Sequence, residues 1–186
     1  MPGLFTLLLT TMIFNNDTTG LRKELEAEFA NHPEGYFAIA FKDLSSGKTF
    51  FMNEHASFHA ASTMKTPVLI ETFRQASKRK FKIEDPIEIK NTFSSIVDGS
   101  PYSLDSTDDS EHDLYTHIGQ KLPISDVLHR MITKSSNLAT NIMIDLVDAK
   151  KVMATMHSLG AKDIQVLRGV EDDKAFEKGL NNTTTA

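Results

Sequence analysis

A serine stands three residues before a lysine, at the head of an apolar segment with helical periodicity. The segment begins Ala61-Ser62-Thr63-Met64-Lys65-Thr66-Pro67 and continues with Val68-Leu69-Ile70. Residues at positions i and i+3 share one face of a helix, so Ser62 can present its hydroxyl to the amine of Lys65. A serine needs an adjacent base to become a nucleophile, and a lysine can be that base if burial lowers its pKa. The segment therefore predicts a helix that begins with a nucleophile and its base.

The same spacing also fits a helix start with a solvated lysine, and it often arises by chance. Two further observations favour catalysis. Ser62 follows an alanine pair at a helix N-terminus, where backbone N–H groups lack helical partners. A second polar cluster, Ser135-Ser136-Asn137, stands inside another helical pattern. Taken alone, this second cluster would indicate no more than a junction between two helices.

Together the two motifs resemble those of class A β-lactamases and their penicillin-binding relatives, whose motif set is S-x-x-K, S-D-N and K-T-G. The resemblance covers residues 22–186. It implies an α+β fold, the three-layer α/β sandwich of this family, represented here by a helical subdomain and an N-terminal β-hairpin. It also implies that Ser62 is the nucleophile and Lys65 its base. Ser135 would return a proton to the leaving nitrogen, and Asn137 would bind the side-chain amide of the substrate.

The segment 168–186 resembles the Ω-loop of the same family, because it has an arginine early and a run of threonines late. Glu171 then corresponds to the glutamate that activates the deacylating water. Asn181 is the candidate for an amide that binds substrate or positions this water. Tyr102 matches the aromatic residue that borders the substrate cleft, and a tyrosine packed within a loop is the equal alternative.

The sequence departs from the family pattern at three places. Ser136 stands where the family has the aspartate of S-D-N, and Ala175 stands where it has an asparagine four residues after the glutamate. The aspartate that pairs with the loop arginine is replaced by Asn181 or Asn182. The second and third departures concern groups that serve deacylation.

The sequence ends shortly after the Ω-loop-like segment and contains no K-T-G motif after it. The resemblance assigns the K-T-G strand, the later sheet strands and one of two oxyanion-hole donors to the missing part. The other donor is the N–H of Ser62, and loss of one donor typically lowers the rate about 100- to 1000-fold. We therefore expect residues 19–186 to be a partial catalytic domain, with an exposed strand edge at 36–43.

Composition excludes several other functions. The chain of 186 residues has a net charge of -5, which argues against nucleic acid as a partner. It has no cysteine, which excludes disulfides, thiol catalysis and zinc–thiolate sites. The histidines lack ligand spacing, so we predict no metal and no other cofactor. The acidic stretch 105–113 lacks EF-hand spacing, and we expect a solvated loop there.

Residues 4–14 are apolar and uncharged but too few to span a bilayer. They fit the hydrophobic part of a signal peptide, although no basic region precedes them, and they fit a short core helix equally well. Class A enzymes act outside the cytoplasm, so the resemblance favours a leader at residues 1–18 and a periplasmic or secreted protein. We expect no stable membrane span.

Periodicity and turn residues predict the remaining elements. Strands at 36–43 and 48–53 form a hairpin, and a loop-rich region covers 85–120. Helices are predicted over 19–30, from Ser62 to about Lys78, from an N-cap at Ser125, over 139–147 and over 150–159. The buried face of the second helix should consist of Val68, Leu69, Thr72, Phe73 and Ala76. Gly160 should end the last helix.

Three functions remain open for this chain, which we expect to be monomeric. The first is a serine β-lactamase that hydrolyses the β-lactam amide through an acyl-enzyme on Ser62. The second is a penicillin-binding D-Ala-D-Ala carboxypeptidase or transpeptidase that acts on peptidoglycan peptides and deacylates poorly. The third is an inactive fragment that keeps the first two motifs without K-T-G.

Overall fold

The computed structural model describes residues 18–186, and these residues form two compact units, 18–56 with residue 186, and 57–185. The leader predicted at residues 1–18 therefore lies almost wholly outside the described residues, and the assignment to the periplasm or the exterior stays a prediction. No helix in the described range is both long and apolar enough to cross a membrane.

The first unit contains one helix and one hairpin. Helix α1 covers Thr18–Ala30, and strands β1, Ile39–Lys42, and β2, Thr49–Met52, pair antiparallel with Ile39 opposite Met52. Ser45 donates its backbone N–H to Asp43 in the connecting turn, and Gly47 adopts a positive φ of 72° there. The predicted helix and hairpin are confirmed, although both strands are shorter than predicted.

The second unit combines helices with short strand pairs. It begins with strand β3, Phe58–His59, and a 3₁₀ turn, Ala61–Met64, which leads into helix α2, Lys65–Ser77. Strands β4, Pro86–Glu88, β5, Phe93–Ser94, and β6, Pro101–Tyr102, follow within the predicted loop-rich region. A second 3₁₀ turn, Asp113–His117, precedes strand β7, Lys121–Pro123.

Three consecutive helices complete the core of this unit: α3, Ile124–Thr133, α4, Asn137–Val147, and α5, Ala149–Ser158. The short helix α6, Asp173–Glu177, and strand β8, Thr183–Thr184, end the described chain. Each strand pairs with one other, β3 with β8, β4 with β7, and β5 with β6, always antiparallel. The expected mixed helix-and-sheet fold with a helical subdomain and an N-terminal hairpin is confirmed.

Helix α4 lies at the centre of the core. Its side chains Leu138, Ala139, Ile142 and Met143 are fully buried, together with Val68 of α2. Further core side chains come from α3, α5 and the loops: Val127, Met131, Val152, Leu114 and Val166. A helix that is apolar on most of its surface must be enclosed by its neighbours, and α4 therefore gives the unit a rigid centre.

Three predictions about helix ends and faces are wrong. Ser125 does not cap α3, since the helix begins at Ile124 and the Ser125 N–H donates to the carbonyl of Ile83. Helix α4 begins at Asn137, two residues before the predicted start, because the Ser136 hydroxyl accepts the N–H of Ala139 as its N-cap. Phe73 of α2 is 52% exposed rather than buried.

The other helix predictions hold. Pro67 lies in the first turn of α2, where the missing N–H has no helical partner to lose. Helix α5 is capped by Asp148, whose carboxylate accepts the N–H of Lys150, and Gly160 follows its last turn with a positive φ of 94°.

Candidate active site

Ser62 lies in the 3₁₀ turn directly before α2, and its side chain is exposed. Ala61, the residue before it, has a φ of 45°, which is a strained conformation for a residue with a Cβ. Lys65 is the first residue of α2 and is only 3% exposed. The turn thus presents the serine to solvent while the lysine three residues later enters the protein.

Ser135 connects these two side chains. The Ser62 Oγ lies 2.8 Å from the Ser135 Oγ, and the Lys65 Nζ donates to the Ser135 Oγ at 2.9 Å. Lys65 also donates to the backbone carbonyl of Ser135 and to Asn137 Oδ1 at 3.2 Å. The structure therefore brings Ser62, Lys65, Ser135 and Asn137 together, with the Ser135 hydroxyl between the Ser62 hydroxyl and the Lys65 amine.

Burial lowers the pKa of the Lys65 amine, because a charged ammonium loses its hydration there. The negative charge of Asp109 opposes this effect and raises the same pKa. The three neighbouring oxygens that accept from Nζ are all uncharged groups. The net shift favours the neutral amine, the form that can accept a proton.

The connection between α3 and α4 positions Ser135. Ser135 has a φ of 57°, and the N–H of the next residue, Ser136, donates to the carbonyl of Arg130 at 3.3 Å. Ser136 is fully buried and caps α4 through its side chain. This sharp turn points the residues on either side of Ser136 towards Lys65, which explains why a Ser-x-Asn pattern can serve one site.

Asp109 is a site residue that the sequence analysis did not identify. It lies in the acidic stretch 105–113, which we expected to be solvated, yet it is 3% exposed and its carboxylate accepts the N–H groups of Asn137 and Leu138. Glu111 of the same stretch is 7% exposed and pairs with Arg130 at 2.7 Å. Asp105, Asp108 and Asp113 are exposed as expected, but the prediction fails for Asp109 and Glu111. These two carboxylates find buried donors far away in the sequence, which spacing alone does not reveal.

Glu171 faces the same site from the loop between α5 and α6. Its carboxylate accepts the N–H of Asp105 at 3.1 Å and is 3.5 Å from the Asn137 side-chain nitrogen. The backbone of Glu171 has a φ of 61°. Burial raises the pKa of the Glu171 carboxyl, and the charges of Asp108 and Asp109 act in the same direction. A raised pKa makes this carboxylate a stronger base once it is ionised.

A cavity of about 190 Å³ opens between these groups. Ser62, Lys65, Asn137 and Glu171 all line it, together with Asn182. Within residues 18–186, no group of three or more histidine, aspartate or glutamate side chains is arranged to hold a metal ion. The five side chains named above provide a hydroxyl, an amine, two amides and a carboxylate, and Arg168 and His59 also line the cavity.

Three predicted site residues do not line this cavity: Ser135, which is bonded to Ser62 and Lys65, and Tyr102 and Asn181. Tyr102 lines a different and larger cavity of about 1020 Å³, and its hydroxyl accepts from Asn141 Nδ2 at 3.3 Å. Asn181 contacts the Arg168 guanidinium through its Oδ1 at 3.4 Å. The neighbouring Asn182 lines the small cavity in its place.

Asn182 also joins the two ends of the loop. Its Oδ1 accepts the N–H groups of Leu167 and Arg168, at 2.8 and 3.1 Å, and its Nδ2 donates to the carbonyl of Arg168 at 3.0 Å. Asn182 is 4% exposed. A buried amide with three such bonds holds the loop at its base, and the sequence signalled it only as one of two adjacent asparagines.

The chain is similar to a family of known enzymes. Residues 20–186 match the model of the Beta-lactamase2 family, described as the beta-lactamase enzyme family. Beta-lactamase CARB-4 of Pseudomonas aeruginosa is 23% identical over 185 residues, which are 98% of this chain and 60% of the relative.

Two solved structures share the fold. A beta-lactamase from Sphaerobacter thermophilus is 28% identical with a TM-score of 0.58, covering 75% of this chain and 48% of its own. The structure of PBP-A is 22% identical with a TM-score of 0.60, covering 80% and 50% respectively. The chain thus spans about half of these structures and 60% of the curated relative. With a family model matched over residues 20–186, the chain belongs to the beta-lactamase enzyme family.

Proposed function

We propose that this site is the acylation and hydrolysis site of a class A-like serine β-lactamase, with Ser62 as its nucleophile. One observation carries the proposal: the Ser62 Oγ, the Ser135 Oγ and the Lys65 Nζ form a continuous hydrogen-bonded chain of 2.8 and 2.9 Å. Such a chain can remove the proton of the nucleophile and deliver it elsewhere without rearrangement. Family membership supports the choice of a β-lactam as substrate.

In the first step, the Ser62 Oγ attacks the carbonyl carbon of the β-lactam. The hydroxyl proton passes through the Ser135 Oγ to the neutral Lys65 amine, whose pKa burial lowers. The tetrahedral intermediate then collapses, the C–N bond breaks, and Lys65 returns the proton through Ser135 to the leaving nitrogen. The product of this step is an ester between the substrate acyl group and Ser62.

In the second step, water hydrolyses that ester. Glu171 takes a proton from a water molecule, which attacks the ester carbonyl. The bond between the acyl carbon and the Ser62 Oγ then breaks, and the proton held by Glu171 is returned to the Ser62 Oγ. The carboxylate lines the same cavity as Ser62 and is oriented by the Asp105 N–H and Asn137. Asn137 is the amide best placed in this cavity to hold the water or the acyl group, because the Asn182 amide is bonded to the loop backbone.

An intact-mass time course of the purified chain mixed with a penicillin tests the proposal. A transient adduct, equal in mass to the penicillin and mapped to Ser62, with release of hydrolysed product, is the expected result. Absence of any adduct at high penicillin concentration, with the chain shown to be folded by cooperative unfolding, contradicts it.

A second function has one specific observation in its favour. Ala175 is a buried alanine in α6 and offers no side-chain group to a water, where the family has an asparagine. A penicillin-binding peptidase would use the same Ser62, Lys65 and Ser135 without efficient deacylation, and PBP-A shares the fold. An adduct on Ser62 that persists for hours in the same time course supports this second function over the first.

A further inference from the structure

The carboxylate of Asp109 is buried against the N-terminus of α4. Its Oδ2 accepts the N–H groups of Asn137 and Leu138, both at 2.9 Å, and the hydroxyl of Tyr115 at 3.1 Å. Its Oδ1 accepts the N–H of Glu111 at 3.1 Å. The first N–H groups of a helix have no partners within the helix, and a negative charge is favourable there. Asp109 therefore fixes the backbone of a residue whose side chain contacts both Lys65 and Glu171.

The middle residue of the Ser135-Ser136-Asn137 cluster does not provide this carboxylate itself. Ser136 uses its hydroxyl to cap Ala139, at 3.2 Å, and the same hydroxyl lies 3.4 Å from the Asp109 Oδ2. The position that is an aspartate in the S-D-N motif is thus in contact with an aspartate that comes from a loop 27 residues earlier.

The loop that carries Asp109 holds the helix connection from both sides. The Ser110 hydroxyl donates to the carbonyl of Lys134 at 2.6 Å, directly before Ser135. Glu111 pairs with Arg130, whose carbonyl accepts the Ser136 N–H. The positive φ of Ser135 is a conformation that persists only when surrounding contacts enforce it, and the contacts of residues 109–111 do so.

We propose that Asp109 is a positioning residue of this site, whose carboxylate supplies from the 105–113 loop the group that S-D-N motifs carry at their middle position. Asp109 holds Asn137 and the turn that precedes it. This keeps the Ser135 hydroxyl between Ser62 and Lys65. The consequence for catalysis rests on the proposed function, whereas the consequence for the backbone of α4 does not.

The alternative is that Asp109 only stabilises the fold. Exchanging the two residues separates the possibilities, because Asp109→Ser/Ser136→Asp keeps composition and net charge and moves the carboxylate to the motif. The four chains to compare are the unchanged protein, Asp109→Ser, Ser136→Asp and the double variant. Asp108→Ser is the matched control, since Asp108 is an exposed residue of the same loop.

The measured quantity is the rate constant of penicillin adduct formation, followed by intact mass and divided by the folded fraction of each chain. We expect Asp109→Ser to lower it about 100-fold, the effect of a displacement of about 1 Å at a reacting group. The rate constant of the double variant should recover to within about tenfold of that of the unchanged protein. The control Asp108→Ser should have the same rate constant as the unchanged protein. The proposal is overturned if Asp109→Ser reacts at the unchanged rate, or if the double variant reacts as slowly as Asp109→Ser.

Backbone amide exchange gives a readout that needs no reaction. The amide protons of Asn137 and Leu138 should exchange faster in Asp109→Ser and slow again in the double variant. Should Asp109→Ser not fold, Asp109→Asn keeps the shape of the side chain and removes its charge, and it should show the same changes in smaller size. If the unchanged protein forms no adduct but the variants show this exchange pattern, the result contradicts the proposed function and supports the positioning role.

Discussion

Lys65 and Glu171 both line the cavity beside Ser62, and the protein holds them in different ways. Lys65 is 3% exposed, begins a helix packed on the core, and donates to three oxygens of one short segment. Glu171 is half-buried in a loop with a positive φ, and its carboxylate has one bond of 3.1 Å and one marginal contact of 3.5 Å.

This difference follows from what anchors each group. The Lys65 side is fixed by helices whose apolar faces form the core, so a shift there would disturb many packed side chains. The loop side depends on individual polar bonds, such as those of Asn182 to the backbone at its base and of Asp172 to the Ile96 N–H. Regions with few packed apolar contacts open more readily than the core. The Lys65 side of the site is therefore more strongly specified than the Glu171 side.

The largest expected effect is the loss of all covalent labelling on replacing the nucleophile. Ser62→Ala removes the only oxygen that the proposed mechanism acylates, so we expect no penicillin adduct by intact mass. Ser57→Ala is the matched control, because Ser57 is an exposed serine outside the site, and it should label at the unchanged rate. Labelling that survives in Ser62→Ala would show that another residue is the nucleophile.

Replacing the buried base should leave the nucleophile present but slow. Lys65→Met retains the length of the side chain and removes the amine, and loss of a general base typically lowers the rate about 10²- to 10⁴-fold. Lys78→Met, an exposed change at the end of the same helix, provides the control. An adduct formed by Lys65→Met at the unchanged rate would exclude Lys65 as the base.

The pH dependence of acylation tests the same group without a mutation. In the proposed mechanism the neutral Lys65 amine accepts the proton of Ser62, so the acylation rate should fall as pH falls through the pKa of Lys65. Burial lowers that pKa, which places the decline below the ordinary lysine value of about 10.4. A decline centred at or above the ordinary value would contradict the role of a desolvated base.

On the loop side, Glu171→Gln should separate the two steps. We expect acylation at nearly the unchanged rate and hydrolysis of the adduct about 10²- to 10⁴-fold slower, because the water loses its base. Burial raises the pKa of Glu171, so in the unchanged protein deacylation should decline with falling pH from a higher pH than an ordinary glutamate would give.

Glu177→Gln in α6 is the control for this change, since Glu177 is exposed in the same segment. The lifetime of the adduct, measured by mass after removal of free penicillin, is the readout. Equal lifetimes in Glu171→Gln and in the unchanged protein would remove Glu171 from the mechanism and favour the penicillin-binding function.

The smallest expected effect concerns the base of the loop. Asn182→Ala leaves the N–H groups of Leu167 and Arg168 buried without their acceptor, which typically costs about 1–3 kcal/mol of unfolding free energy. Asn181→Ala removes a single long contact and should change stability by less. Chemical denaturation of both variants measures the difference, and an equal loss in the two would show that Asn181 contributes as much to the loop as Asn182.

Local sequence determined the parts of this protein that depend on neighbouring residues. The spacing of apolar residues predicted α1, α2, α4 and α5, although no side chain of α1 is fully buried. The family motifs named Ser62, Lys65, Ser135 and Asn137 as a group, and the structure brings these four together. Gly160 and the 45–47 turn were predictable because few residues other than glycine adopt a positive φ without strain.

Tertiary structure alone decided which polar groups are buried and what they contact. Asp109 and Asp108 are adjacent aspartates, yet one is enclosed by α4 and the other is exposed. Asn182 is buried and lines the small cavity whereas its neighbour Asn181 is half-buried and does not, and Tyr102 faces a cavity other than the one at Ser62. Hydrogen bonds to backbone groups far away in the sequence determine which of these polar groups are buried, and local sequence patterns do not predict such partners. Sequence therefore identified the chemical groups of the site, and the packing of the loops around α4 determined how they are held.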